Sequence, residues 1–583
     1  MSRFRVFAAY RSHPTLCLAR RVSSVERHDR YIESVDVKFV GCLIGVSSIL
    51  ASGSILPRLL LGYHLSTMDN FNSIALERLL SPSALFGLTG LWLGYRVALA
   101  LYNVSPLHPL SKFPGPKIAA ASYVYEAYYD WILMGRYGRR IEKMHEQYGP
   151  IVRVSPDELH CSDPFFADEI YTGKPGRIRD KWQHHLKIAG AGPVSQATGT
   201  AGPHELHRKR RAAHARFFSR GQVLKLEDEV YNYAKLAIEK MLRWTGKEAF
   251  EIKGAFNCYT ADVFSQYAFG EPMGFIEQEG WEPNFGTWTS SFLTTTYMMR
   301  HNGLARRLAD ILPMFADYMG EDVKRIMHQM NHVIPAYIKT ALANPDGGRV
   351  FNEILNSNVL PEEEKSMYRL SGEGFVFLVA GTETTAAILT VMTFHLLHQP
   401  KIYARLMKDL EGIDPNNLKW AQLEQRPYLW ALVQESLRHQ PGAAARSARI
   451  AREEELFYKS QDGKTQFVIP RGTPVSMTAM INHWDTRLFP DPDAFNPERW
   501  LLPDGKPDYT LQKFLISFSK GSRVCVGESL ALCEIYIMAA LMAFRIIPKA
   551  ELFDTTIEDL TYDHDLVVLQ TKKGHISTRI KIA

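Results

Sequence analysis

Residues 518–527, FSKGSRVCVG, combine a cysteine, an arginine and two glycines in one short loop. Cys525 lies where the loop meets a long apolar stretch typical of a helix, so its sulfur is near unpaired backbone N–H groups that favour a thiolate. Gly521 and Gly527 permit tight turns and the close approach of a flat ligand. The six cysteines of the chain have no paired spacing, so neither a disulfide framework nor a CxxC zinc site is predicted. A lone thiolate of this kind suits a metal whose other ligands belong to a cofactor.

The loop resembles the haem-binding pattern of cytochromes P450 at every fixed position: Phe, two residues, Gly, one residue, Arg, one residue, Cys, one residue and Gly. This resemblance implies that Cys525 is the axial ligand of the iron of haem b and that Arg523 binds a haem propionate. It also implies structural roles for Phe518, Gly521 and Gly527.

A second stretch, FVFLVAGTETTAAILT, places an acid beside an alcohol in a helical run. Small Ala380 and Gly381 leave space above a haem, and the Thr384 hydroxyl is expected to bond back to the Ala380 carbonyl and bend the helix. Taken alone, the stretch is more typical of a buried helix with a polar face. The resemblance to P450 oxygen-activation segments implies that Glu383 and Thr384 are catalytic and deliver protons.

A third group is expected to support the haem from behind. In QESLRH, Glu435 and Arg438 are three residues apart and share one helix face. FNPERW adds Arg499, and the resemblance implies a structural cluster of Glu435, Arg438 and Arg499. Trp500 ends this motif where Phe is more common in the family.

Cations for the propionates are expected in HELHRKRRAAHARFFS, residues 204–219. The RKRR run alone is typical of a nucleic-acid patch, but it is short and leads into FFS as the C helix of P450s does, so no nucleic-acid partner is predicted. The resemblance implies haem-binding roles for His207, Arg211 and Arg449. His207 stands where many P450s have Trp.

These residues need a mostly helical scaffold. Helical patterns dominate the chain after about residue 117, and strand-like pieces are few and short. The predicted fold class is mainly α with small β-sheets, the P450 fold, preceded by an N-terminal membrane anchor.

The N-terminal part differs in composition, with five arginines and no acid in residues 1–25. Two uncharged runs, at 39–56 and from Leu79 to Tyr95, approach the roughly 20 residues that span a bilayer. Alternatively, both runs are buried helices of a soluble domain. We predict a basic extension at 1–78 with a candidate first transmembrane run at 39–56, a transmembrane anchor at 79–103, a Pro-rich hinge at 104–117 and a P450 haem domain at 118–583.

The predicted location is a membrane, the endoplasmic reticulum, with a cytosolic catalytic domain, and a mitochondrial address is the alternative. The net charge of +6 permits an acidic partner. Because GAGPVS near residue 190 lacks the third glycine of a dinucleotide fingerprint, electrons are expected from a separate NADPH-cytochrome P450 reductase. Its docking face is predicted around Arg208, Lys209, Lys513 and Lys520.

The predicted function is a haem-thiolate monooxygenase that inserts one oxygen atom from O2 into a lipophilic small molecule, such as a fungal terpenoid. Polyketide or alkaloid oxidation is the alternative, followed by a P450-fold isomerase or a non-catalytic haem sensor. Stretches such as YGPIVRVSPDELHCSDPFFADEIY resemble fungal P450s of the trichodiene oxygenase-like group. By analogy with P450 pockets, the substrate walls are expected at 182–200, 289–300, 374–384, 441–446 and 566–570.

Overall fold

The computed structural model describes residues 81–309, 320–344 and 349–583. The chain divides after Leu93 into two compact units, and the second, Gly94–Ala583, contains the site described below. The candidate transmembrane run at 39–56 and the rest of the 1–78 extension lie outside the described residues.

Helices make up most of the described chain. The α-helices are α1 (Pro82–Val104), α2 (Lys117–Ala121), α3 (Val124–Ala127), α4 (Tyr137–Tyr148), α5 (Ala167–Ile170), α6 (Gln183–Leu186), α7 (His204–Ala212), α8 (Arg220–Leu242), α9 (Ile252–Phe269), α10 (Phe285–Leu293), α11 (Thr296–His301), α12 (Gly303–Ala309), α13 (Glu321–His328), α14 (Ile334–Ala343), α15 (Val350–Asn356), α16 (Met367–His398), α17 (Pro400–Asp409), α18 (Trp420–Leu423), α19 (Pro427–His439), α20 (Ala479–Asn482) and α21 (Glu528–Arg545). A π-helical segment, Tyr128–Ile132, continues α3.

Strands are short and form small sheets. They are β1 (Ile151–Arg153), β2 (Leu159–Cys161), β3 (Asp180–Lys181), β4 (Phe250–Glu251), β5 (Arg449–Ile450), β6 (Leu456–Lys459), β7 (Gln466–Ile469), β8 (Pro474–Ser476), β9 (Ala550–Leu552), β10 (His564–Leu566), β11 (Val568–Thr571), β12 (Gly574–His575) and β13 (Arg579–Ile582). The largest sheet has the strand order β1-β2-β8-β5-β3, and β2 runs parallel to β8 while the other pairs are antiparallel. The expected fold class, mainly helical with small sheets, is confirmed.

The core is built around α16. Both α16 and α21 are apolar on nearly all sides, which is the pattern of a helix surrounded by protein. α9 packs along α16, and α8 packs against α21. Phe256 and Phe264 of α9, Leu378 of α16 and Ile535 of α21 belong to one continuous buried cluster. This packing fixes the position of the small and polar residues that α16 presents to the site.

Helix α1 has a largely exposed apolar surface. Phe86, Leu91, Trp92 and Val97 are all largely exposed. Two other helical segments are as long and apolar, Met367–His398 and Glu528–Lys549, but most of their apolar surface is buried. Within the described residues, α1 is therefore the one helix whose length and exposed apolar surface both suit a membrane span. It begins at Pro82, close to the predicted start at residue 79.

Candidate active site around Cys525

A cavity of about 420 Å³ is lined by both the Cys525 loop and the middle of α16. Ala380, Gly381 and Thr384 contribute from α16, and their small side chains leave the cavity open. The Thr384 hydroxyl donates to the Ala380 carbonyl oxygen at 2.7 Å, so the predicted hydrogen bond is confirmed. The structure thus brings the two stretches with the strongest chemical signals to one cavity.

The backbone of the Cys525 loop needs glycine at one position in particular. Gly521 has a φ of +69°, and a Cβ there would overlap the backbone carbonyl of Tyr171. Gly527, by contrast, has a φ of −88° and borders the cavity without a close neighbour. The tight turn is therefore a property of Gly521. The loop closes with the Cys525 N–H donating to the Phe518 carbonyl at 2.8 Å.

The Cys525 side chain is accessible to solvent through the cavity that it lines, although protein atoms surround the loop closely. Burial raises its pKa, and the backbone N–H groups of Gly527 and Glu528 and the charge of Arg211 oppose that rise without cancelling it. The start of α21 at Glu528 alone therefore does not produce a thiolate. A metal ion deprotonates a coordinating thiol outright, so ligation of iron would be needed for the anionic form.

Three buried or partly buried cations line the same cavity without a carboxylate to pair with among the described residues: Lys181, Arg449 and Arg523. Arg523 donates only to backbone carbonyls, including Ala201 at 2.6 Å. Burial and the charge of Arg449 lower the pKa of Arg523 to about 10. Burial, together with both arginines, lowers the pKa of Lys181 to about 7. Such mutual repulsion favours the binding of an anionic group at this side of the cavity.

His207 and Arg211 lie beside these cations but do not line the cavity. Arg211 donates to the carbonyl of Val524 in the cysteine loop. His207 is buried, and burial together with the charges of Arg523, Lys181 and Arg211 lowers its pKa to about 2. His207 is therefore neutral at physiological pH and retains one ring N–H donor.

Sequence reasoning missed Lys181. This residue contributes to the site because β3 pairs with β5, which places Lys181 opposite Arg449. Two-residue strands have no pattern of their own, so only the tertiary structure reveals this pairing.

The residues of the cavity fit haem b. Cys525 offers one soft ligand for iron, and the two carboxylates of a haem would neutralise the cations that lack partners. Phe264, Phe377 and Ile388 supply apolar walls for a flat macrocycle or an apolar substrate.

Glu383 and Thr384, adjacent in sequence, face different cavities. Successive residues of a helix point about 100° apart, and Glu383 lines a second cavity of about 420 Å³ rather than the cysteine cavity. There it forms a buried ion pair with Lys253 of α9, and its buried Oε2 atom has no hydrogen-bond partner in the part of the chain that the structure describes. The acid and the alcohol are thus not in direct contact, so a relay between them requires an intermediary such as water.

The second cavity contains further titratable groups, including Glu251, Glu282, His564 and His575. Glu251 caps the start of α9 by accepting a hydrogen bond from the Lys253 N–H at 3.0 Å. Burial raises its pKa to about 7. The Glu251 carboxyl group, which lines this cavity, can therefore gain and lose a proton near neutral pH.

We expect the melting temperature of the wild-type protein to fall relative to that of Glu251→Gln as the pH rises from about 5 to about 8. The raised pKa means that the folded state holds a proton that the unfolded carboxyl has already released, so each rise in pH across this window favours unfolding. Glutamine keeps an acceptor oxygen and does not titrate. Thermal unfolding of both proteins across the pH range tests this, and a difference independent of pH would contradict it.

The predicted cluster of Glu435, Arg438 and Arg499 is present and buried. Arg438 binds Glu435 through two hydrogen bonds, at 2.8 and 2.9 Å, and Arg499 donates to the same carboxylate at 3.2 Å. The Trp500 indole N–H also donates to Glu435, at 2.8 Å. Tryptophan at this position is therefore a functional alternative to phenylalanine, because it adds a donor to a buried carboxylate.

The segments expected to form the substrate walls are divided among three cavities. Residues from 374–384 and 441–446 line the cysteine cavity, including Gly442, Ala443 and Ala445. Residues from 566–570 line the second cavity. Residues from 289–300 line both the second cavity and a third, apolar cavity of about 680 Å³, which residues from 182–200 also line.

Comparison with known proteins agrees with this architecture. The family profile for cytochrome P450 matches residues 131–575. The cytochrome P450 monooxygenase ppzE of Metarhizium majus is 39% identical over 442 residues, covering 72% of this chain and 92% of the relative. The cytochrome P450 monooxygenase tpcC of Cochliobolus heterostrophus is 34% identical over 518 residues, with coverage of 84% and 95%.

A third relative, the conidiogenone synthase PchP450 of Penicillium rubens, is 34% identical over 462 residues, covering 78% of this chain and 90% of the relative. The trichodiene oxygenase-like group within the family stays a prediction. Together with the cysteine cavity and the buried Glu435 cluster, the matches establish that the chain belongs to the cytochrome P450 family and is a monooxygenase, an oxidoreductase.

Proposed function

We propose that this monooxygenase inserts one oxygen atom from O2 into a lipophilic small molecule of fungal secondary metabolism, with a terpenoid as the leading class. The observation that carries the proposal is the cavity in which Cys525, unpaired cations and apolar walls converge. The name conidiogenone synthase shows that one relative makes a named small-molecule product, which supports a biosynthetic role. Polyketide or alkaloid substrates are the alternative.

In this proposal Cys525 would hold the haem iron, and Arg449 and Arg523 would hold the propionates. Lys181 and Arg211 would reinforce the positive charge around them, and the neutral His207 ring would offer an N–H donor. When bound, haem supplies the activation of O2 and the transfer of one oxygen atom to the substrate, with electrons from a reductase. The protein supplies the pose of the substrate, the exclusion of water and the protons.

The pose of the substrate is set by the contrast between bulky and small lining residues. Phe264, Phe377 and Ile388 exclude water from one part of the cavity, while Gly442 and Ala443 leave room in another. Apolar walls of this kind bind a hydrocarbon skeleton by removing its surface from water. An isomerase or a haem sensor has no need for the acid and the alcohol at the centre of α16, which favours the monooxygenase.

Protons are proposed to enter through the second cavity. Glu251 and His575 line it together with Glu383, whose Oε2 atom has no hydrogen-bond partner among the described residues. Lys253 holds the other oxygen of Glu383. A proton taken up at Glu383 Oε2 then passes through water to the Thr384 hydroxyl, which gives up its bond to Ala380 and donates into the cysteine cavity.

The Thr384→Ala variant is expected to consume NADPH and O2 while forming about 100-fold less product per NADPH, because the cavity loses its hydroxyl proton donor. Thr390→Ala is the matched control, since Thr390 on the same helix also donates to the carbonyl four residues earlier, at 2.7 Å, but lies outside the cavity. The ratio of product to NADPH measures the effect. An unchanged ratio in Thr384→Ala would contradict the role given to this residue.

The reductase is proposed to dock on the basic face around Arg208, Lys209, Lys513 and Lys520. Two of these charges are already paired, Arg208 with Glu205 and Lys520 with Asp168. Lys209 and Lys513 have no carboxylate partner among the described residues, so they are the charges most available to an acidic flavoprotein surface.

Reversing both charges, in Lys209→Glu/Lys513→Glu, is expected to raise the reductase concentration needed for half-maximal turnover about tenfold or more. The difference from the wild type is expected to depend steeply on the salt concentration. Lys572→Glu, in the turn between β11 and β12, is the control. Equal turnover by the wild type and the double variant at low salt would refute this docking face.

The membrane anchor is proposed to be α1, followed by the Pro-rich hinge at 104–117 and the haem domain at 118–583. The exposed apolar surface of α1 supports this assignment. A location in the endoplasmic reticulum, with the catalytic domain in the cytosol, accords with a membrane-bound reductase.

The test of the proposed function is turnover under ¹⁸O2 with the full chain, a fungal NADPH-cytochrome P450 reductase and a panel of terpenoid hydrocarbons. We expect one ¹⁸O atom in the product and no product without the reductase. A product formed without ¹⁸O, or formed equally without electrons, would overturn the proposal in favour of an isomerase.

A further inference from the structure

A second group of chemically active side chains is buried outside the cavities described above. It contains three carboxylates and three histidines: Glu126, Asp130, Glu158, His184, His185 and His301. These residues come from α3, the π segment 128–132, the approach to β2, α6 and the end of α11. None of them lines the cysteine cavity, and the predicted chemistry of the enzyme leaves them without a role.

The ligand atoms are grouped closely. Glu126, His184 and His301 each offer one atom, and these atoms lie within 4.8 Å of one another. His184 Nε2 is already 3.0 Å from Glu126 Oε2. Glu126, Glu158 and His185 form a second triad of the same size that shares Glu126.

The hydrogen bonding of the group is incomplete. Among the described residues, His301 Nε2 and Asp130 Oδ1 are buried without a hydrogen-bond partner, whereas His185 Nε2 lies 3.3 Å from Glu158 Oε1. The side chains of His301 and Asp130 are only 4% and 1% exposed. Buried polar atoms are paired in the great majority of cases, so the unpaired His301 Nε2, 3.7 Å from Asp130 Oδ2, indicates a missing ligand.

The charges in the group do not balance. Two guanidinium groups face the three carboxylates. Arg300 lies 2.9 Å from Asp130 and 3.5 Å from Glu126, and Arg446 pairs with Glu126 and lies 3.3 Å from Glu158. The carboxylates outnumber the guanidinium groups by one, and an uncompensated charge in the protein interior is costly.

We propose that Glu126, His184 and His301 bind one Zn²⁺ ion, with the fourth position open to Asp130 or water. Two imidazoles and a carboxylate are a ligand set that zinc uses, whereas Ca²⁺ and Mg²⁺ prefer oxygen ligands alone. Ligand distances of about 2.0–2.2 Å require the three side chains to approach one another by small rotations. The ion would supply the missing positive charge.

The metal would connect segments that are distant in sequence. α6, which carries His184, leads into residues 188–194, and α11, which carries His301, overlaps residues 298–299. Both segments line the apolar cavity of about 680 Å³. The proposed zinc site is therefore structural and fixes two walls of that cavity relative to α3.

The test is a metal analysis of the full haem-containing chain, expressed in medium with zinc and dialysed against EDTA. We expect elemental mass spectrometry to find one zinc ion per haem iron in the wild type. The zinc content of His184→Gln/His301→Gln is expected to be at least fivefold lower. The matched control is His328→Gln/His332→Gln, which removes an exposed histidine pair with rings 5.1 Å apart. Zinc absent from the wild type would overturn the site, and zinc lost equally in the control would mean an adventitious ion only.

A second measurement keeps the proposal testable if the double variant fails to fold. Zinc K-edge absorption of the wild type is expected to show nitrogen and oxygen neighbours at about 2.0–2.2 Å, including imidazole. Sulfur neighbours, or a fully hydrated ion, would overturn the site. Because the zinc edge is separate from that of iron, this readout does not depend on turnover.

Discussion

Replacing Cys525 with serine is expected to abolish the red-shifted band of the reduced, CO-bound difference spectrum and to reduce product formation to background. A serine hydroxyl is a far weaker acid than a thiol and does not supply a thiolate to iron. The cavity keeps its cations and apolar walls in this variant, so haem is expected to bind with an altered spectrum. Loss of the band with retained haem would isolate the effect of the sulfur.

The matched control is Cys533→Ala. Cys533 lies two turns further along the chain in α21, is fully buried in the apolar core and does not line the cysteine cavity. Its replacement is expected to leave the band in place, at a modest cost in stability. A thiolate band that survives in Cys525→Ser, or disappears only in Cys533→Ala, would show that the axial ligand has been assigned to the wrong residue.

Replacing Glu435 with alanine is expected to prevent the accumulation of folded, haem-containing protein. Glu435 accepts hydrogen bonds from Arg438, Arg499, Trp500 and the Asn496 backbone. Its removal leaves the fully buried Arg438 charge without its carboxylate, which costs about 3–5 kcal/mol. That loss is comparable to the total stability of many proteins, which is about 5–15 kcal/mol.

Glu205→Ala provides a control of the same spacing. Glu205 and Arg208 also form an ion pair three residues apart in a helix, but both side chains are more than half exposed. Water solvates either charge after its partner is removed, so the melting temperature is expected to be unchanged. Melting temperature and haem content per chain are the measurements. Equal effects of the two substitutions would show that burial is not what makes the Glu435 cluster important.

The parts of the site that depend on local spacing could be predicted from the sequence. The bond from Thr384 to Ala380 follows from the pitch of a helix, and Glu435 and Arg438 meet because they are three residues apart. The Cys525 loop is equally local, since its turn requires glycine at Gly521. Such features need only the geometry of one segment.

The parts that depend on distant segments could not be predicted. Lys253 and Glu383 are 130 residues apart and meet because α9 packs along α16. The division of the expected walls among three cavities likewise depends on how loops pack, which one sequence does not encode in any short pattern. Glu383 and Thr384 are the clearest example. They are adjacent in sequence, which suggested a direct proton relay, but their side chains line different cavities.

The unpaired cations around the cysteine cavity link the lifetime of the protein to the supply of its cofactor. Lys181, Arg449 and Arg523 repel one another until an anion neutralises them, and any ligand that binds only the folded chain stabilises it by mass action. In a cell short of haem, newly made chains would spend more time unfolded and be removed by proteases. The abundance of the enzyme would then follow haem biosynthesis, even at a constant rate of transcription.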